Sequence, residues 1–150
     1  MRAKLVLSVL LALTVVAAAA PQADAAGARI RMVRIQYDSP GTDTGTNASI
    51  NAEYVVLKNV GTARGNLNGY SIHDLAGHTR KLGTKYLSPG QYVYLRTGKG
   101  TNTYTSIYWG SSAYIWNNTG DKAYWKSPAG SLLQTCAWTS SGTGSKTCSY

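Results

Sequence analysis

The sequence predicts an all-β domain, a sandwich or a barrel, on three observations. Beyond the first 25 residues, no window of helical length carries apolar residues at the three-and-four spacing that gives a helix one buried face. Gly, Ser, Thr and Asn interrupt the chain every eight to twelve residues, the rhythm of short strands joined by turns. Between Glu53 and Asp74 two alternating patterns flank a turn-forming run: Val55 and Leu57 share one face of the first, Tyr70 and Ile72 one face of the second. Gly61, Arg64, Gly65, Asn66, Asn68 and Gly69 supply the chain reversal between them.

Met1 to Ala25 reads as a leader. Arg2 and Lys4 precede an apolar run from Leu5 to Ala20, and Ala23-Asp24-Ala25 puts small residues where a signal peptidase reads them, so cleavage is expected after Ala25. The apolar run is shorter than the roughly 20 residues that cross a bilayer. Residues 26–150 are then one exported domain without a membrane span, carrying 13 basic and 5 acidic residues for a net charge of +8. Such a balance favours polyanions, nucleic acid or teichoic acid among them. The cations are dispersed, however. Arg80-Lys81 is the one adjacent pair in this part and Arg29, Arg31 and Arg34 the one other cluster, so a solvated surface that keeps the protein monomeric is the plainer reading.

The first strand, Arg29 to Tyr37, has conflicting parity: Val33, Ile35 and Tyr37 share one face, Ile30 and Met32 the other, so the strand starts near Met32 or contains a bulge. Thr42 to Asn51 reads as a mobile polar loop; Asp43, Gly45 and Asn47 lack the further carboxylates of a calcium loop. Leu75-Ala76-Gly77-His78 is a tight turn capped by Asp74, and Thr79 to Leu82 a short return strand. After a turn at Leu87-Ser88-Pro89-Gly90, Gln91 to Arg96 alternates Val93 and Leu95 with Tyr92, Tyr94 and Arg96. Those rings and the guanidinium stack on a sugar or a base if their face is open, and are ordinary cross-strand partners if it is covered. Tyr104 to Trp125 holds three Trp and four Tyr in a chain without Phe, so part of this set fills the core. Asn117 to Asp121 reads as a hairpin turn, Ser127-Pro128-Ala129-Gly130 as another, and the last strand runs through Leu132 and Leu133 to Cys136.

Four segments in this order, EYVVLKN (Glu53 to Asn59), NLNGYSIHD (Asn66 to Asp74), LSPGQYVYLRTG (Leu87 to Gly98) and IWNNTGDKAYW (Ile115 to Trp125), resemble the lamin tail domain, in particular its secreted bacterial members. The resemblance covers about residues 30–138 and implies an immunoglobulin-like β sandwich. The chain departs from the family pattern at Tyr70, where Trp is usual, and at Trp125, where an aliphatic residue is usual; both changes alter core volume rather than chemistry.

Cys136 and Cys148 are the only cysteines, and in an exported chain they are expected to form a disulfide that stabilises by roughly 2 to 4 kcal/mol, pinning the C-terminal tail to the last strand. Catalysis finds no motif: no nucleophile elbow, phosphate-binding glycine loop or cluster of metal ligands, and no cofactor is implied. His73, Asp74 and His78 lie within six positions, but His73 and Asp74 on a strand point to opposite faces. Convergence of Asp74 with Asp121 or Glu53 in a pocket would reopen an enzymatic reading. The leading expectation is a non-enzymatic binding or structural module with a protein or cell-wall partner. Alternatives are a polyanion binder and a carbohydrate binder, with Arg80, Lys81, Tyr92, Tyr94 and Arg96 as candidate surface residues.

Overall fold

The computed structural model describes residues 27–139 and 143–150, so the leader expected over residues 1–25 lies outside the described residues. Among the described residues the elements run β1 (Ile30–Gln36), α1 (Asn47–Ile50), β2 (Tyr54–Asn59), β3 (Gly65–Asn66), β4 (Ser71–His73), β5 (Thr79–Lys81), β6 (Tyr86–Leu87), β7 (Tyr92–Arg96), β8 (Ser106–Tyr108), β9 (Gly120–Lys126), β10 (Leu132–Thr139) and β11 (Ser145–Thr147). One sheet has the order β11-β1-β2-β7-β8, with only the β7–β8 pair parallel; a second has the order β10-β9-β4-β5. A two-stranded ribbon of β3 and β6 completes the fold, an immunoglobulin-like sandwich.

Alternation places the core. Val55 and Leu57 of β2, Val93 and Leu95 of β7, Ile72 of β4, and Ala123 and Trp125 of β9 are buried between the sheets. The parity conflict in β1 is a bulge. The register with β2 shifts between Met32 and Arg34, so Ile30 and Met32 before the shift, and Ile35 and Tyr37 after it, all face the core. Gln134 of β10 serves the main chain at this irregularity: its Oε1 accepts the Met32 N–H at 2.8 Å and its Nε2 donates to the Met32 carbonyl at 2.8 Å.

The aromatic residues divide as Phe-free packing requires. Trp116, Trp125 and Trp138 are buried, and Tyr37 stacks on Trp138 with centroids 4.7 Å apart. Tyr70 and Trp125, the two positions departing from the family pattern, stack on each other at 5.0 Å and 14°, so one change in volume accommodates the other. The turn at Ser88-Pro89-Gly90 forms as expected. Gly90 adopts φ +78°, which only glycine adopts freely, and its N–H reaches the Asn59 carbonyl at 2.8 Å.

Two local expectations need correction. The polar stretch before β2 contains a helical turn, α1, because the Thr46 hydroxyl accepts the Ser49 N–H and Ile50 buries as an anchor. Asn117 to Asp121 closes a turn, with the Gly120 N–H on the Asn117 carbonyl at 3.2 Å, but no strand precedes it; it leads into β9 and is not a hairpin.

The Cys136–Cys148 disulfide is present, with Cα atoms 5.4 Å apart. It does more than hold the tail to β10. Cys148 lies just past β11, the edge of the five-stranded sheet, and Cys136 is on β10, the edge of the four-stranded sheet, so the bond closes one side of the sandwich. The opposite side, between edge strands β5 and β8, has no such closure.

Candidate functional site

All five acidic side chains of the described residues gather around one short segment, residues 115–121, at one end of the sandwich. Asp38 Oδ1 and Asp43 Oδ2 accept from the Asn118 amide at 2.9 and 3.3 Å. Glu53, 1% exposed, accepts the Ile115 N–H on Oε2 at 3.1 Å. Burial pushes its carboxyl up to about 8, against the lowering effect of the Ile115, Thr97 and Trp116 donors. Asp121 accepts the Leu75 and Lys122 N–H groups on Oδ1 at 3.0 and 2.7 Å and the Asn117 N–H on Oδ2 at 3.1 Å. Asp74 accepts the His78 N–H at 2.6 Å and bonds His78 Nδ1 at 2.5 Å, capping the turn as expected.

Asp74 and Asp121 do converge, on a cavity of about 360 Å³ that His78 also lines. Each of their four oxygens nevertheless accepts a hydrogen bond from the chain, all but one from backbone N–H groups. These bonds scaffold the turn after Asp74 and the entry to β9, while each carboxylate keeps at least one lone pair unengaged.

The outer face of the five-stranded sheet is aromatic and basic. Tyr92, Tyr94 and Arg96 share it, and the register sets Lys58 opposite Tyr92, Val56 opposite Tyr94, and Tyr54 opposite Arg96. No further layer covers Tyr92, which is 48% exposed, yet the rings are also cross-strand partners. Tyr94 meets Tyr54 edge-on at 5.1 Å and Tyr92 at 5.7 Å. Arg96 is held in place by its bond to the Asn51 carbonyl at 2.9 Å and lies over the Tyr94 ring at 5.5 Å. Arg34 of β1, opposite Val56, extends the basic character across the sheet.

Arg80 and Lys81 lie in the other sheet, on β5, and being neighbours on a strand they part company. Lys81 pairs with Ser71 on the outer face, where Lys126, Tyr124 and His73 also stand. Burial lowers the His73 pKa below the usual imidazole value and the nearby Lys126 charge lowers it further, as expected of a cationic face. Arg80 pairs with the buried Ile72 and faces the gap between the sheets. The candidate residues thus form one cluster, Tyr92, Tyr94 and Arg96, and two separate cations.

Two features leave only a faint signal in the sequence. Glu53 reads as an ordinary strand start, and only its place before an all-aliphatic face hints at burial. Asn47 and Asn51, four apart, clamp the loop after β7 through Lys99; the helical spacing of two amides is the available signal.

The two-layer, largely antiparallel sandwich is of the immunoglobulin-like class. The Lamin Tail Domain family matches residues 23–140, and the chain belongs to that family. No curated protein matches the chain. Among the described residues no helix is long and apolar enough to cross a membrane.

Proposed function

We propose that the protein is a secreted, non-enzymatic binding module whose ligand is a phosphodiester polymer, nucleic acid or teichoic acid. Charge segregation carries this reading. A surface built only for solubility intersperses both signs. Here the acidic side chains are collected at one end and tied up there, while Arg34, Lys58 and Arg96 on one sheet face and Lys81, Lys122 and Lys126 on the other stand without carboxylates among them. Tyr92 and Tyr94 add ring surface beside the first group.

Export is supported by the leader-like residues 1–25 and by a disulfide of the kind that persists in oxidising compartments. On this reading residues 26–150 are the mature single domain, and the N-terminus of the secreted product is Ala26. The test is a titration of that domain with mixed-sequence duplex DNA and with poly(glycerol phosphate) at low and moderate salt. Tight binding that collapses as salt rises supports the proposal. Absence of binding at low salt would reduce the net charge to a solubility feature and leave a protein or cell-wall sugar as the partner.

A further inference from the structure

The side of the sandwich that the disulfide leaves open contains a cleft. Arg80 of β5 forms one wall, and Tyr108 of β8 with Trp109 the other; Lys99, Gly100 and Asn102 close one end, around a volume of about 460 Å³. A smaller cavity of about 40 Å³ shares Arg80, Asn102 and Tyr108 and adds Lys85. None of the described residues lining either cavity is acidic.

Arg80 is the anomaly. Its Nε is buried and has no hydrogen-bond partner, and the one ion pair between described residues, Asp74 with His78, does not involve it. A guanidinium presents five N–H donors in a fixed fork and cannot shed its charge. Desolvating part of a guanidinium without an acceptor is unfavourable, and an anion held by the rest of the Arg80 head in the cleft offsets that cost through its charge.

The opposing wall is built to stay in place. Asn47 Oδ1 accepts the Lys99 N–H at 2.8 Å, while Asn47 and Asn51 Nδ2 donate to the Lys99 carbonyl at 3.0 and 2.9 Å. Glycine at 98 and 100 allows this fit: a Cβ at Gly98 would lie 2.7 Å from both Asn amide oxygens, and one at Gly100 would lie 2.4 Å from Tyr108 ring carbons. Asn102 Oδ1 accepts the Tyr108 N–H at 3.2 Å, which fixes the amide and leaves its NH₂ as a donor.

We infer that this cleft binds the phosphate group of a phosphate ester, with Arg80 as the bidentate partner, Lys99 as the second cation and the Asn102 amide as a further donor. Phosphate offers more acceptor oxygens and more charge than a carboxylate, matching a fork, an ammonium and an amide. The volume exceeds what a phosphate needs and leaves the esterified alcohol to lie against Tyr108 and Trp109. The inference rests on the phosphodiester reading above and adds the place where a terminal or bent-in phosphate is read. The ester's source is a polyol phosphate or a nucleotide.

The test is an amide and Arg Nε–H chemical-shift titration of the mature domain with inorganic phosphate, glycerol 3-phosphate and thymidine monophosphate, at constant ionic strength set by chloride. Saturable shifts at residues 99–102, Tyr108 and the Arg80 Nε–H are expected. Arg80→Gln and the exposed Lys99→Gln should each weaken binding about tenfold, the worth of one charge-assisted hydrogen bond. Tighter binding of glycerol 3-phosphate assigns a polyol phosphate, and tighter binding of the nucleotide a nucleic acid end. Shifts that grow linearly with every anion, or saturable binding unchanged in Lys99→Gln, would overturn the inference. Salt-sensitive DNA binding that survives both substitutions would remove the cleft and leave the phosphodiester reading standing.

Discussion

Replacing Glu53 by glutamine should stabilise the protein in alkaline solution and leave it almost unchanged in mild acid. The buried carboxyl titrates near 8 in the folded chain against 4.5 for the unperturbed group. Between those values the unfolded chain has released its proton and the folded chain has kept it. The unfolded state then binds fewer protons, so stability falls as pH rises through this window and levels off above it. The slope is roughly 1.4 kcal/mol per pH unit, and the full window amounts to on the order of 5 kcal/mol as an upper figure. Glutamine preserves the acceptor for the Ile115 N–H. It removes the ionisation. Urea denaturation followed by Trp fluorescence from pH 5 to pH 9, for both proteins, isolates the effect as a difference. The variant should lie within about 1 kcal/mol of wild type at pH 5 and exceed it by a few kcal/mol at pH 8.5. Parallel stability curves across the range would refute the burial of Glu53 in its neutral form.

Cys148→Ser, which unties the two sheet edges, should cost roughly 3 kcal/mol and lower Tm, measured by calorimetry in non-reducing buffer. Gln134→Leu strips the Met32 N–H and carbonyl of their side-chain partner and should cost about 2 kcal/mol or more in denaturant melts. Trp125→Leu removes the Tyr70 stack and the Nε1–H bond to the Ile30 carbonyl and should cost about 3 kcal/mol, with Tyr70→Ala partly non-additive to it in a double-mutant cycle. Gly100→Ala should displace the Lys99 loop from Tyr108, visible as large shifts at residues 98–108, with the sandwich core unaffected.

Strand positions were legible because burial on one face of a sheet imposes a two-residue period that β2, β7 and β9 follow plainly. The parity conflict at Ile30, Met32 and Ile35 left a late strand start or a bulge open in the sequence, and the register shift in β1 decides for the bulge. Partnership between segments distant in sequence was not legible. Nothing local says that Cys136 and Cys148 join two edges, that Gln134 serves Met32 from 102 residues away, or that Tyr70 and Trp125 stack. The candidate site was legible as a set of types and not as a place. Tyr92, Tyr94 and Arg96 came together because their alternation fixed a shared face; Arg80 and Lys81, adjacent in sequence, were separated by that same alternation. The gathering of the acidic side chains depends on which turns meet at one end, which is topology and leaves no trace in spacing.

The salt dependence of DNA binding decides whether the basic sheet faces bind phosphodiester chains. For wild type, log K against log salt should fall with a slope of about −3, three phosphates being neutralised, and a Lys58→Gln, Arg34→Gln double variant should be shallower by about one unit for each cation removed. A slope near zero would contradict binding through either face, and the same slope in the double variant would contradict binding through the face of Arg34, Lys58 and Arg96.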